Sequence, residues 1–287
     1  MKYSQKETGL RVTLIKNNLK INDIKELSIQ ISLNGLSFCI LNRTANEVTF
    51  LKTIDFEQKQ MPDAVLNHLK EELSSNPAFS EDFNEVLVIH QNELSTLVPE
   101  ELYNKENKVD YLKFNSKILR NDFITEDYIS INKSINVYVP YVNINNYIFD
   151  TFGEFVYKHS SSILIDSLIQ NPESTTEEPT VYVNVNKNTI ELLVIDKGKL
   201  QLFNVFEYYS KEDFIYYVLF VFEQLKLDVE KSHVLLSGNI VIGDENFVML
   251  YLYIRHVTFI EKSYAFNIVA NTNRRYLHQH FVILNSF

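Results

Sequence analysis

Apolar and polar positions alternate most clearly at Leu27, Ile29, Ile31 and Leu33, and the alternation resumes after Asn34-Gly35 at Leu36, Phe38 and Ile40. A period of two predicts strands, and Asn-Gly between two such runs predicts a hairpin. With Asn34-Gly35 as a two-residue turn, Leu33 faces Leu36, Ile31 faces Phe38 and Ile29 faces Ile40, so one side of the pair is wholly apolar. Residues 47–55, with Val48, Phe50 and Ile54, predict a third strand. Pro62 then opens a helix with Val65, Leu66, Leu69 and Leu73 on one face, and residues 86–89 read as a buried strand.

The same order returns about 150 residues later. Val181, Val183 and Val185 alternate up to Lys187-Asn188, and a turn there sets Val185 opposite Ile190, Val183 opposite Leu192 and Val181 opposite Val194. A second turn at Lys197-Gly198 brings the chain back through Leu200, Leu202 and Phe203. Ser210 followed by Asp213 predicts the capped start of a helix containing Phe214, Ile215, Val218, Val221, Phe222 and Leu225, and residues 233–236 predict a strand. Hairpin, third strand, helix and strand in one repeated order imply an internal duplication. Tyr216, Tyr217 and Phe220 make the helix after Ser210 apolar on more than one face. Interior burial is the expected outcome and a partial interface the alternative, which makes this helix the candidate partner-contacting element.

Between the copies, Val137, Val139 and Tyr141 predict a strand, residues 144–152 a helix ending at Gly153, and residues 155–159 a short strand. One of Ser160, Ser161 and Ser162 is expected to cap the next helix, through Ile163, Leu164 and Ile169. Residues 170–180 contain two prolines and no large apolar side chain, and form the expected linker between units 1–170 and 171–287. Residues 247–254 fit a helix and a buried strand equally well.

Composition narrows the function. A chain of 287 residues, 45% hydrophobic and 22% charged, can bury the cores of two such units. With 27 Lys and Arg against 37 Asp and Glu, its net charge of -10 argues against nucleic acid as a partner. The single cysteine, Cys39, permits no internal disulfide and reads as packing; with no apolar run of leader or membrane-spanning length, the expected compartment is the cytoplasm, without membrane insertion. Six glycines leave little material for phosphate-binding loops, which need positive φ and close backbone approach.

Three stretches together resemble the actin-like superfamily, the duplicated ribonuclease-H-like fold of actin, sugar kinases, chaperone ATPase domains and pilus-assembly proteins. Residues 153–164 are similar to the glycine, strand and small-residue turn before the second phosphate loop, with Ser160, Ser161 and Ser162 as the small residues. Residues 181–203 stand in the position of that loop, and Val234-Leu235-Leu236-Ser237-Gly238-Asn239 resembles the strand and glycine turn that meet adenosine. The chain also resembles an uncharacterised bacterial family, known mainly from the Bacteroidota, of reduced actin-like proteins. The resemblance implies an α/β fold of two subdomains, each a mixed five-stranded sheet with helices, around a nucleotide cleft. The superfamily places an aspartate and glycines in each phosphate loop. The first hairpin here offers Gln30, Ser32, Asn34 and Gly35, and the second offers Asn184, Asn186, Lys187 and Asn188, with no carboxylate or glycine expected there. A neutral amide replaces a carboxylate poorly at Mg²⁺.

The expected function is therefore a non-catalytic scaffold or regulator that binds a protein or peptide, with a vestigial cleft formed by Gly35, Asn184, Asn186, Ser237 and Gly238 and at most weak ATP or ADP with Mg²⁺. The competing expectation is a divergent nucleotide-binding switch or ATPase using the same residues. Elsewhere, Arg274, Arg275, His278 and His280 form a basic cluster. On a strand, it would put both histidines on one face as a metal-ligand pair or an RNA contact, but a solvated ion-pair surface is the expected outcome. His159 beside Ser160 lacks an orienting acid for nucleophilic chemistry.

Overall fold

A computed structural model describes residues 23–287 apart from residues 115 and 262. The expectation of no N-terminal leader falls on residues 1–22, outside the described residues. The chain runs β1 (Lys25–Ser32), β2 (Gly35–Asn42), β3 (Glu47–Asp55), α1 (Pro62–Ser75) and β4 (Glu85–His90). An insertion follows, of β5 (Ser95–Pro99), α2 (Lys108–Lys113), β6 (Thr125–Ile129) and β7 (Ser134–Tyr138), then α3 (Val142–Phe152), β8 (Val156–His159) and α4 (Ser160–Ile169). The second copy is β9 (Thr180–Val185), β10 (Thr189–Asp196), β11 (Lys199–Glu207), α5 (Lys211–Gln224), β12 (His233–Gly238), α6 (Glu245–Tyr253) and β13 (His256–Phe259). β14 (Asn267–Ile268), a 3-10 turn over Arg274–His280 and α7 (Phe281–Leu284) complete it.

The two principal sheets repeat one topology. β3-β2-β1-β4-β8 and β11-β10-β9-β12-β13 share strand order, with the first three strands antiparallel and the last two joined parallel. Even the irregularity recurs: β2 is bulged against β3 at Ile40/Leu41 and β10 against β11 at Val194/Ile195, the sixth residue of each strand. The expected five-stranded count holds for the second sheet only. β14 adds a sixth strand to the first by pairing parallel with β3, and β5-β7-β6 form a separate three-stranded sheet.

The second hairpin has the expected register, Ile190 to Val185, Leu192 to Val183 and Val194 to Val181. Lys197 and Gly198 both take positive φ, the conformation a two-residue hairpin turn requires. The first hairpin differs. Its turn is Leu33-Asn34, pairing Ile31 with Leu36, Ile29 with Phe38 and Leu27 with Ile40. The shift of two positions keeps the same side chains on the dry face, because the strand period is two. Ser32 supplies the turn, its hydroxyl accepting from the Asn34 N–H at 3.1 Å. Gly35 is a strand residue opposite Asp55, and a Cβ there would lie 2.6 Å from the Ile54 carbonyl oxygen, so glycine permits the approach of β3.

Three cores result. Ile29, Ile31, Phe38 and Ile40 pack against Val65 and Leu69 of α1 and Ile144 and Ile148 of α3. Val181, Val183, Leu192 and Val194 pack against Phe214, Val218 and Phe222 of α5 and Leu250 of α6. The opposite faces of both sheets, including Cys39, Leu41, Tyr182, Leu193 and Leu235, meet across α4 and α7. Central strands are thus buried on both faces, and Cys39 is a core residue whose thiol is pushed up by burial. The 247–254 ambiguity resolves as helix α6, ending in the extended residue Ile254. The predicted strand over Val137, Val139 and Tyr141 ends at Tyr138, and Tyr141 instead precedes α3.

Candidate functional site

The ends of the two hairpins face one another across a cleft of about 370 Å³. From the first sheet come Ser32, Asn34, Gly35 and Asp55, with Gln91 and Glu93 just beyond β4; from the second come Asn184, Asn186, Lys187 and Glu191, with Gly238 at the end of β12. Four of the five expected residues, Gly35, Asn184, Asn186 and Gly238, therefore line one cavity. Ser237 stands behind the wall, buried, and donates its hydroxyl to Asn184 Oδ1 at 2.8 Å.

The polar groups are largely engaged with one another. Gln30 Nε2 donates to Gln91 Oε1 at 2.7 Å, and Gln91 Nε2 donates across the cleft to Asn186 Oδ1 at 2.6 Å. Lys187, at the tip of the second hairpin, reaches the backbone carbonyls of Phe56 and Glu57 just past β3, the latter at 2.6 Å. Its ammonium is a tethered cation bridging the halves. Lys59 is paired with Glu93 at 2.8 Å. Burial lowers the pKa of His280, so that imidazole is held neutral. The lining carboxyls of Asp55, Glu93, Glu191 and Glu207 therefore face no uncommitted ammonium among the described lining residues.

The loop residues 184–188 carry no carboxylate, as expected, but Glu191 on the adjoining β10 brings one to the cleft. It sits on β10 facing away from Ile190 and Leu192, only 3% exposed. Its oxygens accept from Ser161 Oγ at 2.7 Å and Asn184 Nδ2 at 2.7 Å. Burial raises its pKa while the donors from Ser161, Asn184 and Asn186 oppose the rise. The signal was available: an acid inside the apolar, two-face-buried stretch of a strand must find donors.

Below the cleft lie two buried imidazoles in register on adjacent strands, His90 and His159. His159, rather than a serine, caps α4: its Nδ1 accepts from the Ser161 N–H at 3.2 Å, leaving Nε2 to donate to the Asn92 carbonyl at 3.2 Å. Burial pushes its pKa down to about 3, with His90 adding to the effect. His90 accepts from the Tyr141 N–H at 3.3 Å and donates to Asn145 Oδ1 at 3.0 Å, and burial takes it down to about 4. Both are structural bases, held neutral.

Arg274, Arg275, His278 and His280 lie on the 3-10 turn, not on a strand. His278 is buried against Phe259 with Nε2 donating to the Ile240 carbonyl at 2.8 Å, whereas His280 lines the cleft. Among the described residues no group of three or more His, Cys, Asp or Glu is placed to hold a metal, and no helix is long and apolar enough to cross a membrane.

The architecture matches solved structures. A protein from Bacteroides thetaiotaomicron with an actin-like ATPase fold and unknown function is 20% identical, with a TM-score of 0.72 over 94% of this chain and 99% of that one. The PilM-PilN type IV pilus biogenesis complex gives 11% identity and a TM-score of 0.53 over 90% of this chain and 96% of that one. No curated protein matches. The fold is that of the actin-like ATPases, duplicated subdomains included. A family model described as a protein of unknown function, DUF3822, covers residues 15–257, and the chain belongs to that family.

Proposed function

We propose that this protein is a non-catalytic actin-like scaffold or regulator that acts in the cytoplasm and binds a protein or peptide partner, its cleft serving as a structural joint between units 1–170 and 171–287. The carrying observation is the bridge that Lys187 makes to the carbonyls of Phe56 and Glu57. A triphosphate needs a mobile metal cation, amide donors and positive charge. Here the cation is a side chain already bound to backbone oxygens, and four carboxyls line the space. The Gln91–Asn186 hydrogen bond adds a second link, making the halves' approach independent of a ligand. The likeness to the PilM-PilN complex supports a partner-binding role for this fold.

Calorimetric titration with Mg-ATP and Mg-ADP tests this reading. No heat of binding is expected up to millimolar nucleotide. Micromolar binding of either nucleotide would overturn it in favour of a divergent nucleotide switch or ATPase built on Gly35, Asn184, Asn186, Ser237 and Gly238.

A further inference from the structure

We infer that the outer faces of α5 and α6 form a docking surface for a positively charged amphipathic segment of a partner protein. The inference rests on the scaffold reading and gives its partner a chemistry.

The two helices cover one face of the second sheet with their ends matched. Lys211 at the start of α5 pairs with Glu245 at the start of α6 at 3.7 Å. Beyond their other ends, Arg255 donates its N–H to the Val229 carbonyl at 3.0 Å. The helices therefore run alongside one another in the same direction. Phe214, Val218, Val221 and Phe222 of α5 and Leu250 of α6 satisfy the sheet. What remains outward is not polar. On α5, Glu212, Tyr216, Phe220 and Glu223 form one helical stripe at spacings of four, four and three, with Tyr216 61% exposed and stacked near Phe220. On α6, Glu245, Val248 and Leu252 share a face by spacings of three and four, and Glu245 at its start reaches Lys211 of α5. Leu252 is 70% exposed and Tyr251 66%. With Tyr253 at 52%, six large apolar side chains thus stand in solvent on adjacent helices, a grouping uncommon on a surface without a partner.

Charge selects the occupant. The two helices carry Glu212, Asp213, Glu223 and Glu245 against Lys211 alone, and Lys211 is committed to Glu245. Asp213 is used in the capping box with Ser210, which leaves Glu212 and Glu223 flanking the aromatic stripe of α5. A second copy of this chain would set these acids against their own equivalents, with a net charge of -10 on each molecule. A segment with apolar residues at helical spacing and lysine or arginine on the flanks meets both features. α5 is 14 residues, a length of about 21 Å, which suits an occupant of three to four turns.

The probe is a labelled 14-residue helix of leucine and lysine in an amphipathic pattern, compared with its glutamate counterpart by fluorescence anisotropy on the full chain. The leucine-lysine peptide is expected to bind and the leucine-glutamate peptide not. Tyr216→Ser with Leu252→Ser should weaken binding at least about tenfold, since each removes an exposed apolar anchor. Glu212→Lys with Glu223→Lys should reverse the preference between the two peptides. All four sites are exposed, and circular dichroism verifies that the variants fold. Equal binding by wild type and both double variants, or no binding by wild type, would overturn the surface. So would sedimentation showing a wild-type dimer that the Tyr216→Ser, Leu252→Ser variant abolishes, because a second copy would then be the occupant. The nucleotide titration is independent of these residues, so failure here leaves the scaffold reading to stand or fall by its own test.

Discussion

At the scale of single residues, two glycines separate backbone conformation from crowding. Gly238 has φ of +80° and its missing Cβ would lie 2.1 Å from the Val185 carbonyl oxygen, whereas Gly243, at +94°, has nothing within 4 Å of that position. Gly243→Ala should cost only the left-handed penalty, about 1 kcal/mol, and Gly238→Ala at least about twice that, because β9 and β12 must separate. Urea unfolding midpoints of the two variants check the difference, and equal losses would show that the β12 turn yields freely. Gly238 was recognisable in the sequence as a glycine after a strand; its collision partner was not, since Val185 lies in another strand. Glu191 was missed for a related reason. Reading the apolar alternation of β10 credits Ile190, Leu192 and Val194 and passes over the other face, yet that face is also buried and carries one of the cleft's four carboxyls. Ser237 could be assigned to the strand end, but its position behind Asn184 depends on strand pairing across the sheet.

At the scale of elements, signals held where sequence-local chemistry decides. Ser210 accepts from the Asp213 N–H at 3.1 Å while the Asp213 carboxylate accepts from the Ser210 N–H at 3.1 Å, a complete capping box. Ser210→Ala should destabilise the fold by about 1 kcal/mol and Ser210→Asp by much less, read as a shift in thermal midpoint; an unshifted midpoint for the alanine variant would mean that packing alone sets the start of α5. The first hairpin shows the opposite case. Asn34-Gly35 is a strong local turn signal, but the pairing of Gly35 with Asp55 on β3 takes the glycine for the sheet, and the turn moves back to Leu33-Asn34. The basic cluster over Arg274–His280 misled for another reason: alternate histidines suggest a strand, yet the segment turns in a 3-10 path that buries His278. The helix after Ser210 is apolar beyond one face, as read, but the expected interior burial fails for Tyr216 and Phe220, which the structure leaves at the surface.

For the whole molecule, the duplication was legible because each copy writes its own periodicity, but what fastens the copies together was not. β14, the 3-10 turn and α7 are too short to show a period, yet Ser286 reaches Ser28 at 2.7 Å and β14 completes the first sheet, so the chain's end returns from the second proposed unit to the first. The same global packing buries His90 and His159 side by side, and it predicts an acid-sensitive fold. Their native pKa values, about 4 and about 3, lie below the ordinary histidine value of 6.5. As pH falls below about 6.5 the unfolded chain takes up protons that the native protein refuses, so stability declines until the native values are reached, by about 1.4 kcal/mol per pH unit for each imidazole. Asp127 of β6 and Glu191, whose pKa values burial raises, act with the opposite sign: they hold protons in the native state that the unfolded chain releases above 3.8 and 4.5 respectively, and their contribution declines as pH rises. The wild-type slope between pH 6.5 and 5 is the sum of these opposing contributions, and removing one imidazole isolates its own share. His159→Asn keeps an acceptor for the Ser161 N–H but removes a titrating group, and urea unfolding across this window should show a slope shallower than wild type by about 1.4 kcal/mol per pH unit. Parallel curves for the two proteins would mean that His159 is protonated in the native state and that its hydrogen bond from Ser161 is not made in solution.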